Sequence, residues 1–162
     1  MPPTLRGTLS LLVAAVVPAG IVTIWYAGAS LADSAQADPY MWLRIRNFAA
    51  LSFVIAAAHV VTLGIPGILL VRTFGKMSGW ASLLMGFVLG AIPIGLLSWP
   101  LRYGAQRVSA SHEGVVTLVN GVPTLAGWLD WAYGTALMGL LGALGGGAFW
   151  LVWRGQLRLR AT

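Results

Sequence analysis

The stretch Arg46-Asn-Phe-Ala-Ala-Leu-Ser-Phe-Val-Ile-Ala-Ala-Ala-His59-Val-Val-Thr-Leu-Gly-Ile-Pro66-Gly-Ile-Leu-Leu-Val-Arg72 sets 25 residues without a formal charge between two arginines. An α-helix rises ~1.5 Å per residue and the hydrocarbon core of a bilayer is ~30 Å thick, so a run of this length crosses it with some tilt. Backbone N–H and C=O groups find no water there, which makes a spanning run helical unless its strands close a barrel. Barrel strands alternate in polarity, and runs such as residues 83–89 do not.

Outward from this stretch the charges fence off three more intervals. Arg6 and Asp33 enclose 26 uncharged residues, Lys76 and Arg102 enclose 25, and Asp130 and Arg154 enclose 23. The reading is an all-α integral membrane protein, a single domain over residues 1–162. Four transmembrane helices are predicted near 8–31, 48–71, 80–99 and 131–153, in an up-down bundle. The two longer connections, 32–47 and 100–130, fall on one side.

Composition agrees. The chain of 162 residues is 58% hydrophobic and 9% charged, with a mean hydropathy of +0.82, whereas soluble domains carry roughly 25% charged residues. The net charge of +6 comes from basic residues scattered singly and in pairs, with no stripe able to follow a phosphate backbone, so nucleic acid is excluded as a partner. The absence of cysteine removes disulfides, thiolate metal sites and thiol nucleophiles.

Trp and Tyr favour the bilayer interface, where the ring is buried and its polar atom stays wet. Trp25, Tyr26, Tyr40, Trp42, Trp99, Tyr103, Trp128, Trp131 and Tyr133 make one belt, and Trp80, Trp150 and Trp153 the other. Basic residues in short loops are retained in the cytoplasm. Arg6, Arg72, Lys76, Arg154, Arg158 and Arg160 share one side, against Arg44, Arg46, Arg102 and Arg107 with all four acids on the other. The expected location is the bacterial inner (plasma) membrane, with both termini cytoplasmic. Ala35-Gln36-Ala37 after the first apolar run imitates a signal-peptidase site. That run is about twice an ordinary signal core and contains Pro18, Trp25 and Tyr26, which predicts a retained span.

His59 is the one ionisable residue inside a predicted span, with twelve residues between it and each flanking arginine, and so at mid-membrane. Polar groups at that depth are costly, which points to a proton relay, a ligand or a gate. The preferred alternative is a neutral imidazole bonded to a neighbouring helix or to a backbone carbonyl, with Thr62, one turn on, in the same network. His112 lies in a loop and no carboxylate lies in a span, so no metal and no cofactor is expected. In the fourth span Gly139, Gly142 and Gly146 share a helix face and allow close backbone approach. That face suits an oligomer or a larger membrane complex, but contact with the chain's own first or third span is preferred. Pro18, Pro66 and Pro93 interrupt three spans, and the breaks at Pro66 and Pro93 fall at opposite ends, which reads as kinks for packing.

Residues 103–130 are too broken for a fifth span. Val115–Val119, Asn120-Gly121 and Val122–Leu125 predict a short β-hairpin or a re-entrant loop, because Asn-Gly supplies the positive φ values of a type I′ turn and Pro123 suits an edge strand. This element is either a partner-binding lid or an interfacial loop resting on headgroups. The run Asn120-Gly-Val-Pro-Thr-Leu-Ala-Gly-Trp-Leu-Asp130, followed by the glycine-rich span ending Ala148-Phe-Trp150, resembles a group of small uncharacterised four-helix inner-membrane proteins of proteobacteria. The resemblance covers most of the chain from the second span onward and carries over no activity. Small multidrug exporters have a glutamate in the first span, and this chain has none.

The sequence contains no phosphate loop, HExxH, Gly-x-Ser-x-Gly or dinucleotide fingerprint, and no enzymatic activity is expected. The leading expectation is an accessory or structural subunit acting through helix packing and partner contacts within the lipid bilayer. The alternative is an oligomeric transporter or channel gated near His59. A third and weaker reading places a lipid-modifying site in the external loop, at Arg102, Arg107, His112 and Glu113, beside the Asn120-Gly121 turn.

Overall fold

The computed structural model describes residues 3–33, 38–74, 78–104 and 108–158. Ala35–Ala37, Lys76, Arg107 and Arg160 lie outside the described residues. The elements in chain order are α1 (Pro3–Asp33), α2 (Met41–His59), a π-helical turn (Val60–Gly64), α3 (Ile65–Phe74), α4 (Gly79–Leu97), a 3₁₀ turn (Pro100–Tyr103), β1 (Ala110–His112), β2 (Val115–Val119), β3 (Val122–Pro123) and α5 (Leu125–Arg158). The α2 helix, the π turn and α3 form one continuous segment, so four helical spans are long and apolar enough to cross a membrane.

Two helices begin earlier than the apolar runs do. The segment α2 starts at Met41 rather than near residue 48 because Asp38 organises its first turn. The Asp38 carboxylate accepts the Tyr40 N–H at 2.9 Å and pairs with Arg44, while the Asp38 carbonyl accepts the Met41 N–H at 3.1 Å. A carboxylate there also meets the positive end of the helix dipole. The helix α5 starts at Leu125 rather than near residue 131 because Thr124 caps it: its Oγ1 accepts the Gly127 N–H at 3.1 Å. Charges mark where a helix leaves hydrocarbon, and they do not end it.

Pro66 accounts for the π turn. Proline has no N–H, and its ring crowds the carbonyl four residues back, that of Thr62. Widening the preceding turn relieves this, and the Ile65 N–H bonds the Val60 carbonyl, five residues back.

The spans form an open ring. α1 packs between α2 and α5, and α4 packs on α5. Among the described residues no Cα of α2 comes within 8 Å of α4; the ring closes only lower down, where the π turn and α3 touch α4. At that closure Gly67 faces Leu89 and Met85, and a Cβ on Gly67 would sit 2.9 Å from Leu89 Cδ1.

The tightest contact is between α4 and α5. Ser82, Gly86 and Gly90 repeat every four residues on α4 and meet Met138, Gly142 and Gly146, which repeat likewise on α5. A Cβ on Gly86 would collide with the Gly142 carbonyl, one on Gly142 with the Gly86 carbonyl, and one on Gly146 with the Ser82 carbonyl. Bare Cα atoms thus lie directly against the opposite backbone, and dispersion between closely apposed chains holds the pair where no hydrophobic force acts between helices. The α1 helix uses the same device once, at Gly145, whose Cβ would lie 2.8 Å from the Ala14 carbonyl. That carbonyl lacks its helical donor because residue 18 is proline.

Between α4 and α5 the chain makes a three-stranded antiparallel meander, β1-β2-β3, rather than the single hairpin or re-entrant loop expected. Asn120-Gly121 joins β2 to β3 with φ of 50° and 83°, the two positive values that a type I′ turn demands. A second turn of the same kind, Glu113-Gly114 with φ of 50° and 79°, adds β1. Pro123 stands on the edge strand β3, where its missing N–H costs no ladder bond. Thr124 ties the sheet to α5: its N–H and hydroxyl donate to the Thr117 and Val116 carbonyls at 3.0 and 2.8 Å.

The packing yields a paired expectation for thermal unfolding in detergent. Gly142→Ala should destabilise the protein by about 1–3 kcal/mol through overpacking. Gly134→Ala, where a Cβ meets nothing within 4 Å, should leave the midpoint unchanged or slightly raised.

Candidate functional site

The open ring encloses a cleft of about 430 Å³ to which all four spans contribute. Its wall on the α2 side runs from Phe48 to Ile68, ~30 Å of helix at 1.5 Å per residue, so the space is long and narrow. Leu11 and Pro18 of α1, Ile55 of α2, Met85 and Leu89 of α4, and Leu141 and Phe149 of α5 make it apolar. Among the described residues, the polar side chains on the lining are Ser52, His59 and Ser82.

Local chemistry sets Ser82 apart from the other two. A serine or threonine in a helix can return its hydroxyl to the carbonyl four residues back. Ser82 does so to Ser78 at 3.1 Å, as Thr23 does to Ala19, Thr62 to Ala58 and Ser98 to Ile94. The His59 imidazole has no hydrogen-bond partner among the described residues and is half-buried on the cleft wall. It is the last residue of α2, directly before the π turn, at the level where the gap between α2 and α4 begins to close. The expected network with Thr62 does not form. Thr62 is exposed and bonded to Ala58 at 2.8 Å; it lies in the π turn, whose wider winding turns it further from His59 than three residues of α-helix would.

Of the glycines predicted to share a packing face, Gly142 and Gly146 meet α4 backbone and also border the cleft, while Gly139 lies under the Phe87 ring. The partners on α4 escaped notice in the sequence, although Ser82-xxx-Gly86-xxx-Gly90 carries the same small-residue spacing. The residues of the long connection disperse. Arg102 stands exposed on the 3₁₀ turn. His112 Nδ1 lies 3.2 Å from Asp130 Oδ1, with both side chains at least half exposed. Glu113 sits at the tip of the first turn, and Asn120 and Gly121 form the second, with the Gly121 N–H donating to the Val108 carbonyl at 2.8 Å. His112, Glu113, Asn120 and Gly121 build the meander and its tie to α5.

Above the cleft, tryptophans join α4 to α5. The rings of Trp99, Trp128 and Trp131 meet edge to face in all three pairs, with centroids 5.1–5.9 Å apart. Trp131 Nε1–H donates to the Gly95 carbonyl at 3.1 Å. Gly95 lies in the last turn of α4, where a carbonyl has no partner within the helix, so the indole completes the helix end. At the opposite end Arg154 lies 4.9 Å over the Trp150 ring. Trp25, Trp42 and Trp80 stay roughly 70% exposed, as rings in contact with lipid headgroups would.

No protein-family model, curated protein or solved structure matches this chain.

Replacing the indole tests its role directly. Trp131→Phe keeps an aromatic ring but frees the Gly95 carbonyl, and should lower stability by about 1 kcal/mol, read as a lower thermal midpoint in the same detergent.

Proposed function

We propose that this chain is a small multi-pass inner-membrane protein that acts as an accessory subunit by holding a lipophilic molecule in the cleft between its four spans. The observation that carries this reading is the open ring. A partly open cleft with apolar walls, bordered by α2 and α4 where their backbones stay more than 8 Å apart, suits a molecule dissolved in the surrounding hydrocarbon. Pockets of roughly 300–1,000 Å³ with apolar walls and few polar groups are the usual form of small-molecule sites. The rigid glycine contact between α4 and α5 supplies a fixed wall. A role in binding without catalysis fits the lining, which offers one imidazole and two serines.

A second reading, an oligomeric transporter or channel gated near His59, draws on the π turn that follows this residue, since such turns are frequent at functional positions. The apolar lining favours a lipophilic occupant over an ion, which would lose its hydration there. In the proposed orientation both termini are cytoplasmic and the meander lies outside.

Two measurements test these readings. Protein purified from native membranes in mild detergent should carry a lipophilic molecule at near-stoichiometric amount, detected by mass spectrometry of the organic extract. Ala56→Trp, which fills the cleft from α2, should lose it. An extract matching bulk lipid in both proteins would overturn the binding reading. For orientation, the absence of native cysteine allows single-site labelling: Glu113→Cys should react with an impermeant maleimide on intact spheroplasts, and Gln156→Cys only after lysis.

A further inference from the structure

Ser52 and, two turns on, His59 line the cleft without a side-chain hydrogen bond among the described residues, and a plain hydrocarbon chain satisfies neither; the imidazole is the stronger hydrogen-bonding group of the two. An imidazole without a partner at mid-membrane costs free energy, because each ring nitrogen is a strong donor or acceptor and no water competes for it in hydrocarbon. The hydroxyl of Thr62, three residues on, returns to its own backbone at Ala58, whereas His59 turns toward the cleft with no such bond among the described residues. Its position divides the long α2 wall near the middle, eleven residues after Phe48 and nine before Ile68.

A phospholipid carries its polar atoms at the headgroup and would lay bare methylenes against His59. An occupant that satisfies the site has an apolar body and a neutral hydrogen-bonding group that resides deep in the bilayer. We infer that the cleft selects a lipophilic molecule bearing a carbonyl or hydroxyl ring group, of the quinone or quinol class, and that the His59 imidazole makes the hydrogen bond that selects it. A neutral imidazole has one N–H donor and one bare nitrogen, so the same side chain serves a quinone carbonyl or a quinol hydroxyl. The molecule enters through the gap between α2 and α4, its ring stops at His59 where the π turn and α3 close against α4, and its tail follows the open half of the cleft. This inference rests on the cleft being a binding site for lipophilic molecules.

Its test is arranged so that the two ideas fail separately. Nanodiscs containing the protein are dialysed to equilibrium against empty nanodiscs with decyl-benzoquinone or with decylbenzene, which shares the tail and ring but has no hydrogen-bonding group. The excess of each probe in the protein discs is then measured. The expected result is binding of both, with a preference of roughly tenfold for the quinone, the worth of one hydrogen bond in a dry site. His59→Leu should reduce the preference to about unity, and His59→Gln, which keeps a donor and an acceptor, should retain much of it. Equal binding of both probes by the unaltered protein, or a preference that survives His59→Leu, overturns the role of His59 while leaving the cleft a binding site. No excess of either probe overturns both. Single-peak elution of each variant in nanodiscs establishes that a lost preference does not reflect unfolding.

Discussion

The whole architecture depends on carbonyl oxygens of α4 and α5 lying where side chains would ordinarily be. Gly86, Gly90, Gly142 and Gly146 present no Cβ, so the two helices settle backbone to backbone along two full turns. In water such a contact would be a poor use of an interface, because it buries little apolar side chain. In hydrocarbon the comparison changes, since lipid already solvates Leu and Val as well as a neighbouring helix would, and only close, well-matched surfaces gain by meeting. This one seam fixes α5 as the centre of the protein. The α1 helix then docks on the other flank of α5 at Gly145, and the α2–α3 segment attaches through α1 and through Gly67. The cleft is what remains when one side of the ring is tight and the other is barely closed.

Much of this could be read from residue order. The four spans follow from intervals without charge, and the aromatic positions agree with the ends of those intervals. Asn120-Gly121 announces its turn because few other dipeptides take positive φ twice at low cost. Glu113-Gly114 makes an equivalent turn with a weaker signal, since glutamate in the left-handed region carries a steric cost that the flanking strands must offset. The early starts of α2 and α5 depend on single capping contacts of Asp38 and Thr124, which a count of charges does not weigh.

The cleft was not legible. His59 stood out as an ionisable residue at mid-membrane, but its surroundings depend on which helices are neighbours, and no local pattern encodes that α2 and α4 stay apart. The same applies to Thr62. Spacing suggests a shared network with His59, whereas Thr62, inside the π turn, is exposed and satisfied by its own backbone. The glycine spacing on α5 marks a face, but only the fold pairs it with the matching Ser82, Gly86 and Gly90 row of α4.

The π turn has a geometric effect on everything that follows it. A helix that takes in one extra residue within a single turn rotates its remaining length by about 100° relative to an uninterrupted α-helix. In α3 this rotation decides which side chains point inward, and it brings Gly67 rather than a bulkier neighbour against Leu89 and Met85. The span therefore has two phases, one that presents His59 to the cleft and one that presents Gly67 to α4, and Pro66 holds them out of step. Were 60–64 to wind as an uninterrupted α-helix of the same length, Gly67 would turn about 100° away from α4, so that the register of the second span, more than its hydrophobicity, determines whether the ring can close.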